Sequence, residues 1–84
     1  MIILKPDGNG HGHAPALRRA QEAWGLSPRQ LEVLAHLAEG DTNKGIAAKI
    51  GCAEVTVEFH LRGLFGKTSS QNRSELVAQF WKQA

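Results

Sequence analysis

An all-α fold is what this sequence predicts, and three observations predict it. Apolar residues recur at three- and four-residue spacing in several separate stretches, the stripe of an amphipathic helix. These stretches open on side-chain caps or a proline, and several close on a glycine. The one stretch with strand character, Ile2-Ile3-Leu4 before Pro6-Asp7-Gly8, has no partner strand in the sequence.

The chain is organised around residues 41–67. Thr42 and Asn43 are caps for a short helix whose stripe is Ile46, Ala47 and Ile50. Gly51 can take the left-handed backbone that ends it. After Cys52 and Ala53 a longer helix begins, with Val57, Leu61, Leu64 and Phe65 on its inner face. Two helices joined by about four residues with a glycine in the turn form a helix-turn-helix. That motif presents its second helix to the DNA major groove.

The remaining elements follow in chain order. Ile2 to Leu4 reads either as the end of an upstream domain, this chain being the C-terminal piece of a longer protein, or as an unordered start. Residues 8–14 form a Gly-rich linker carrying His11 and His13. With no Cys or acid close in sequence, two His at i, i+2 read as solvated linker rather than a structural zinc site. Pro15 suits a first helical turn, and Leu17, Ala20, Gln21 and Trp24 give a short helix with a narrow apolar edge. That edge packs on the body, with Trp24 as a lid over the core. Gly25 ends it, so residues 1–25 are read as an N-terminal extension and 26–84 as the helix-turn-helix domain.

Leu26-Ser27-Pro28 combines a staple, a cap and a proline at the first helical position. Leu31, Val33, Leu34, Leu37 and Ala38 then make a broad buried face, closed by Gly40. His36 falls among polar neighbours and is assigned to solvent. A polar loop, Thr68 to Gln71, leads to a capping box of Asn72 and Glu75 and a last helix from Arg73 to about Lys82. On it Leu76, Val77, Phe80 and Trp81 cover nearly half the circumference. Part of that surface closes the core, and the remainder seeks a partner.

With 84 residues the chain is one small domain that buries only roughly 60% of its unfolded surface. At 42% hydrophobic and 21% charged residues it matches an ordinary soluble domain. Net charge is +2, distributed unevenly: residues 1–41 carry four Lys or Arg against five acids, residues 42–84 six against three. The positive excess therefore lies on the helix-turn-helix half, where a polyanion would bind. Cys52 is the single cysteine, so no intrachain disulfide forms, and a reducing cytoplasm suits it. Met1 to Leu4 is far too short for a signal-peptide core, and no run approaches membrane-spanning length. No nucleophile–base pair, phosphate-cradling Gly loop or metal-ligand spacing is present, so neither an enzyme nor a cofactor is expected.

Leu26-Ser27-Pro28-Arg29-Gln30-Leu31-Glu32-Val33-Leu34, then Ala38-Glu39-Gly40, then Asn43-Lys44-Gly45-Ile46-Ala47, resembles the LuxR/FixJ/GerE-type DNA-binding domain. Thr56-Val57-Glu58-Phe59-His60-Leu61 and Arg73-Ser74-Glu75-Leu76-Val77 continue the pattern in order, so the likeness runs from about Leu26 to Phe80. The resemblance implies a four-helix domain, here with an extra short N-terminal helix. Its third helix enters the major groove of double-stranded DNA, and its fourth pairs two copies as a homodimer. Members are transcription regulators. Gly63 to Thr68 resembles members with an N-terminal sensor domain, which fits a missing upstream part. The DNA-reading region of sigma factors shares the Pro-Arg-Gln wording, but the terminal Ser-Glu-Leu-Val helix argues against it.

The sequence departs from the family at three places. Gly45 replaces a Glu used in a local salt link, Ala53 replaces a Ser cap worth about 1 kcal/mol, and Glu58 replaces a Lys. Gly63 and Gly66 each cost the same helix about 1 kcal/mol against Ala.

The expected DNA-binding residues are Thr42, Asn43, Lys44, Lys49, Thr56, Glu58, Phe59, Arg62 and Lys67. Thr42 to Lys44 offer a helix N-terminus to a phosphate, with Thr42 and Asn43 also serving as caps. Lys49 and Lys67 are phosphate contacts by charge and position. Glu58 either repels phosphates or accepts from a cytosine amino group. Phe59 either meets a thymine methyl or packs on the scaffold helix, and Arg62 either takes guanine or phosphate or pairs with Glu58. Thr56 is either a phosphate contact or a hydroxyl bonded to its own helix, and His60 is a half-buried structural ring. Cys52 is a small turn filler, the alternative being a redox-sensing thiol. Val77, Phe80 and Trp81 form the expected dimer surface. The competing function is a helix-turn-helix kept as a protein-interaction or dimerisation module with weak or no DNA binding.

Overall fold

The structure, a computed structural model, describes residues 14–83. The Ile2-to-Leu4 strand tail, the turn after it and the His11 and His13 linker lie outside the described residues.

Five α-helices and no strand occur among the described residues: α1 (Ala14–Trp24), α2 (Pro28–Ala38), α3 (Asn43–Ile50), α4 (Glu54–Thr68) and α5 (Arg73–Gln83). The all-α class is as expected, with α2 to α5 the helix-turn-helix domain and α1 the extra helix. Local chemistry sets the boundaries. Ser27 Oγ accepts from the Gln30 N–H at 3.2 Å while Gln30 Oε1 accepts from the Ser27 N–H at 3.0 Å. That is a complete capping box ahead of Pro28. Thr42 Oγ1 accepts from the Gly45 N–H at 3.1 Å, and Gly51, at φ +73°, ends α3 in the left-handed region. Ala53 starts α4 with no side-chain cap, leaving the Glu54 charge to face the positive helix end. At α5 the expected capping box is displaced. Asn72 Oδ1 accepts from the Glu75 N–H at 2.9 Å, but the Glu75 carboxylate accepts from Gln71 N–H at 2.7 Å rather than from Asn72.

Helix α4 is central: α2 and α3 pack on it most extensively, and α1 packs chiefly on α5. The core is Val33, Leu34 and Leu37 of α2, Ile46 and Ala47 of α3, Val57, Leu61 and Leu64 of α4, and Leu76 and Phe80 of α5, joined by Leu26, Ala16 and Ala20. Helix α1 turns two of its four alanines, Ala16 and Ala20, inward because small side chains let its backbone approach closely; Leu17 and Trp24 sit half-buried at the margin.

One expectation is corrected here. Phe80 is fully buried, because α1 covers the adjoining side of α5 and completes the core around it. Its ring meets Trp81 edge-on with centroids 5.0 Å apart. Phe80 therefore cannot present a dimer surface; of the three residues assigned to it, half-buried Val77 and exposed Trp81 remain at the surface. The polar loop also proves more ordered than its composition suggests. Thr68 Oγ1 donates to Leu64 C=O at 2.8 Å and shares a 2.7 Å bond with Ser70 Oγ, which Gln79 Nε2 reaches at 2.8 Å. This buried knot ties the end of α4 to α5.

Candidate nucleic-acid interface

The α3–turn–α4 unit carries the site. Periodicity turns Val57, Leu61 and Leu64 inward, so the opposite arc of α4 faces out. Val55 is 64% and Phe59 66% exposed, and Glu58, Arg62 and Gly66 are exposed beside them. Phe59 does not pack on the scaffold helix; its ring contact is the edge of half-buried His60, at 5.6 Å. Val55 and Phe59, one turn apart, make a short apolar row on a helix otherwise lined with charge.

Beside this arc stands the start of α3. Thr42 and Lys44 are exposed and Asn43 is half-buried. Gly45 N–H is taken by Thr42, whereas the backbone N–H groups of Asn43 and Lys44 have no partner among the described residues. Orphan donors at a helix N-terminus suit an anion. Lys44 and Arg62 form no ion pair among the described residues, so the Arg62–Glu58 pairing weighed above does not form. A cation held by no carboxylate keeps its full charge for a phosphate or a guanine edge.

Two other lysines are differently placed. Lys67 Nζ donates to Gly25 C=O at 2.9 Å and to Gln30 Oε1 at 2.8 Å, tying the end of α4 to the α1–α2 turn. The ammonium thus serves the fold, while both acceptors are uncharged and Lys67 stays exposed, so its charge is not neutralised by a carboxylate among the described residues. Lys49 Nζ lies 2.8 Å from Asp41 Oδ2. The hydrogen bond and charge of Lys49 hold the Asp41 carboxyl below its ordinary 3.8, and Asp41 holds Lys49 above 10.5. Lys49 therefore shares its charge with Asp41 in an exposed, salt-screened pair. Thr56 is half-buried, and its hydroxyl makes no bond to its own helix among the described residues. Cys52 is half-buried and packs against the core, as a turn filler does.

His36 is not the solvent-facing ring expected from its neighbours. Its Nδ1 is buried without a hydrogen bond, 3.4 Å from Asp41 Oδ2 and 3.9 Å from Glu39 Oε1. Ligand-type atoms of His36, Glu39 and Asp41 lie within 4.8 Å of one another, the one such grouping among the described residues. Lys49, already seated on Asp41, supplies the positive charge there.

Sequence reading missed Arg73. From the first turn of α5 its Nη1 donates to Asn43 Oδ1 at 2.6 Å and its Nη2 to Asp41 C=O at 2.7 Å. One signal was available: a base at a helix N-terminus opposes the dipole and calls for an acceptor elsewhere. No helix among the described residues is long and apolar enough to cross a membrane.

Residues 25–80 match the family model described as bacterial regulatory proteins, luxR family. Curated relatives agree. The chain is 39% identical over 59 residues to a monoamine regulon transcriptional regulator of Klebsiella aerogenes, covering 70% of this chain and 26% of that one. It is 45% identical over 53 residues to the probable transcriptional regulatory protein SgaR of Hyphomicrobium methylovorum, covering 63% and 25%. It is 38% identical over 58 residues to the nitrate/nitrite response regulator protein NarP of Escherichia coli (strain K12), covering 69% and 27%. The chain thus spans about a quarter of the length of these relatives. No solved structure gives a significant match.

Proposed function

The chain belongs to the luxR family of bacterial regulatory proteins, and on that premise we propose that it is the sequence-specific, double-stranded-DNA-binding output domain of a transcription regulator. One observation carries this reading: the outward arc of α4, with Val55 and Phe59 in solvent and Arg62 unpaired, lies bare beside the capped start of α3. In this reading α4 enters the major groove. Phe59 contacts a thymine methyl, Arg62 takes guanine or a flanking phosphate, and Glu58 accepts from cytosine, which makes it a discriminator instead of a liability. Thr42, Asn43 and Lys44 hold the adjacent strand, Lys44 by charge and the other two by helix-end donors and hydroxyl.

Residues 26–84 form this DNA-binding domain and residues 1–25 its extension. Val77 and Trp81 pair two copies into a homodimer, and an upstream sensor domain is a further partner of this output domain. The setting is the cytoplasm, and no catalytic step is assigned.

The test is a fluorescence-anisotropy titration of mixed-sequence duplex DNA between about 50 and 200 mM salt. Binding that weakens by orders of magnitude over that range is expected. A folded chain showing no salt-dependent binding favours the protein-interaction module, with Val77 and Trp81 as its docking residues.

A further inference from the structure

Arg73 sits where two helix N-termini meet. Its guanidinium closes on Asn43 Oδ1 and Asp41 C=O, both uncharged acceptors, and it forms no ion pair among the described residues. A base in the first turn of α5 opposes that helix's dipole, so its placement serves the contact it makes across the fold. A two-pronged donor fixes direction as well as distance. Here it fixes the backbone at Asp41 and the side chain at Asn43, on either side of the Thr42 cap. The same carboxyl-bearing residue, Asp41, is held from the other side by Lys49.

We propose that Arg73 is a positioning residue for DNA binding: it sets the orientation of Thr42 to Lys44 toward the strand, and so couples α5 to the grip of α3. This rests on the DNA-binding reading above. Arg73 acts through Asn43 and Asp41 and does not itself touch phosphate. A lysine there keeps the charge but loses the fork, whereas at a phosphate contact a lysine still binds as a point charge.

The experiment measures duplex affinity against salt for the wild-type chain, Arg73→Lys, Arg73→Gln, Asn43→Ala and Asn43→Ala/Arg73→Lys, each well below its own unfolding midpoint. Arg73→Lys is expected to bind about tenfold more weakly with an unchanged salt slope, the scale of a lost two-pronged contact. In the Asn43→Ala background the same change costs only about twofold, because coupled sites are not additive. Wild-type affinity in Arg73→Lys, a salt slope reduced by about 0.9 in Arg73→Gln alone, or fully additive losses would each overturn the positioning role while leaving DNA binding intact. A wild-type chain that binds no duplex overturns both.

Discussion

Lys67, near the end of α4, donates to Gln30 of α2 at 2.8 Å, four residues beyond the point where Gly63 meets the same side chain. A Cβ at Gly63 would collide with the Gln30 amide. That amide is not free to swing away, since its oxygen also accepts from the Ser27 N–H. Gly63 is therefore the price α4 accepts for lying close to α2.

The glycine should show opposite behaviour in two backgrounds. Ala is favoured over Gly in a helix by about 1 kcal/mol, but in the wild-type chain Gly63→Ala displaces Gln30 and forfeits hydrogen bonds worth about 1 kcal/mol each. The single variant should gain no stability. In a Gln30→Ala background the same change should stabilise by about 1 kcal/mol, read from urea unfolding midpoints.

Phe59→Ala should leave stability within about 0.5 kcal/mol, as for an exposed side chain. Duplex affinity should fall about tenfold, or about 1.4 kcal/mol. Thermal melting and anisotropy on the same sample separate the two. Equal affinity in both proteins would remove Phe59 from the interface.

Arg62→Ala should reduce the slope of log affinity against log salt by about 0.9 if Arg62 neutralises one phosphate. If it reads guanine, the loss should instead concentrate on duplexes changed at one base pair. Lys67→Ala should lower the melting temperature, because its ammonium ties the end of α4 to Gly25 and Gln30.

The Asp41–Lys49 pair should appear in the acid limb of stability. The folded carboxyl is held below 3.8, so in that window the unfolded chain binds more protons and stability rises with pH. The contribution is in place above the ordinary carboxylate range and disappears as pH falls through the depressed value. Wild type should out-melt Asp41→Asn at pH 6 to a modest, salt-screened extent, since Lys49 is half exposed. The gap should close well below pH 3.8. A constant gap across that range would exclude this pair as its cause.

Sequence made the local features legible because their causes lie within four residues. Ser27 and Thr42 as caps, Gly51 as the α3 stop and the bare start at Ala53 are all decided by side chains next to the backbone they serve. The exposed arc of α4 was legible too, since the inward rows of one helix define its outward row. What remained hidden was pairing at a distance. Gln30 with Lys67 and Arg73 with Asn43 are separated by 37 and 30 residues, and no periodicity reports them. Phe80 was misplaced for a related reason. A wide apolar stripe on α5 does not say which part is covered, and the cover is α1, whose alanines gave little signal.

Amide chemical-shift mapping of the isotope-labelled chain during titration with a mixed-sequence duplex tests the central claim most directly. The account predicts that the resonances to move are those of Thr42 to Lys44 and of Val55, Glu58, Phe59 and Arg62, with the outer face of α5 moving little. Shifts confined to Val77, Ala78 and Trp81, with the α4 arc unmoved, would contradict it.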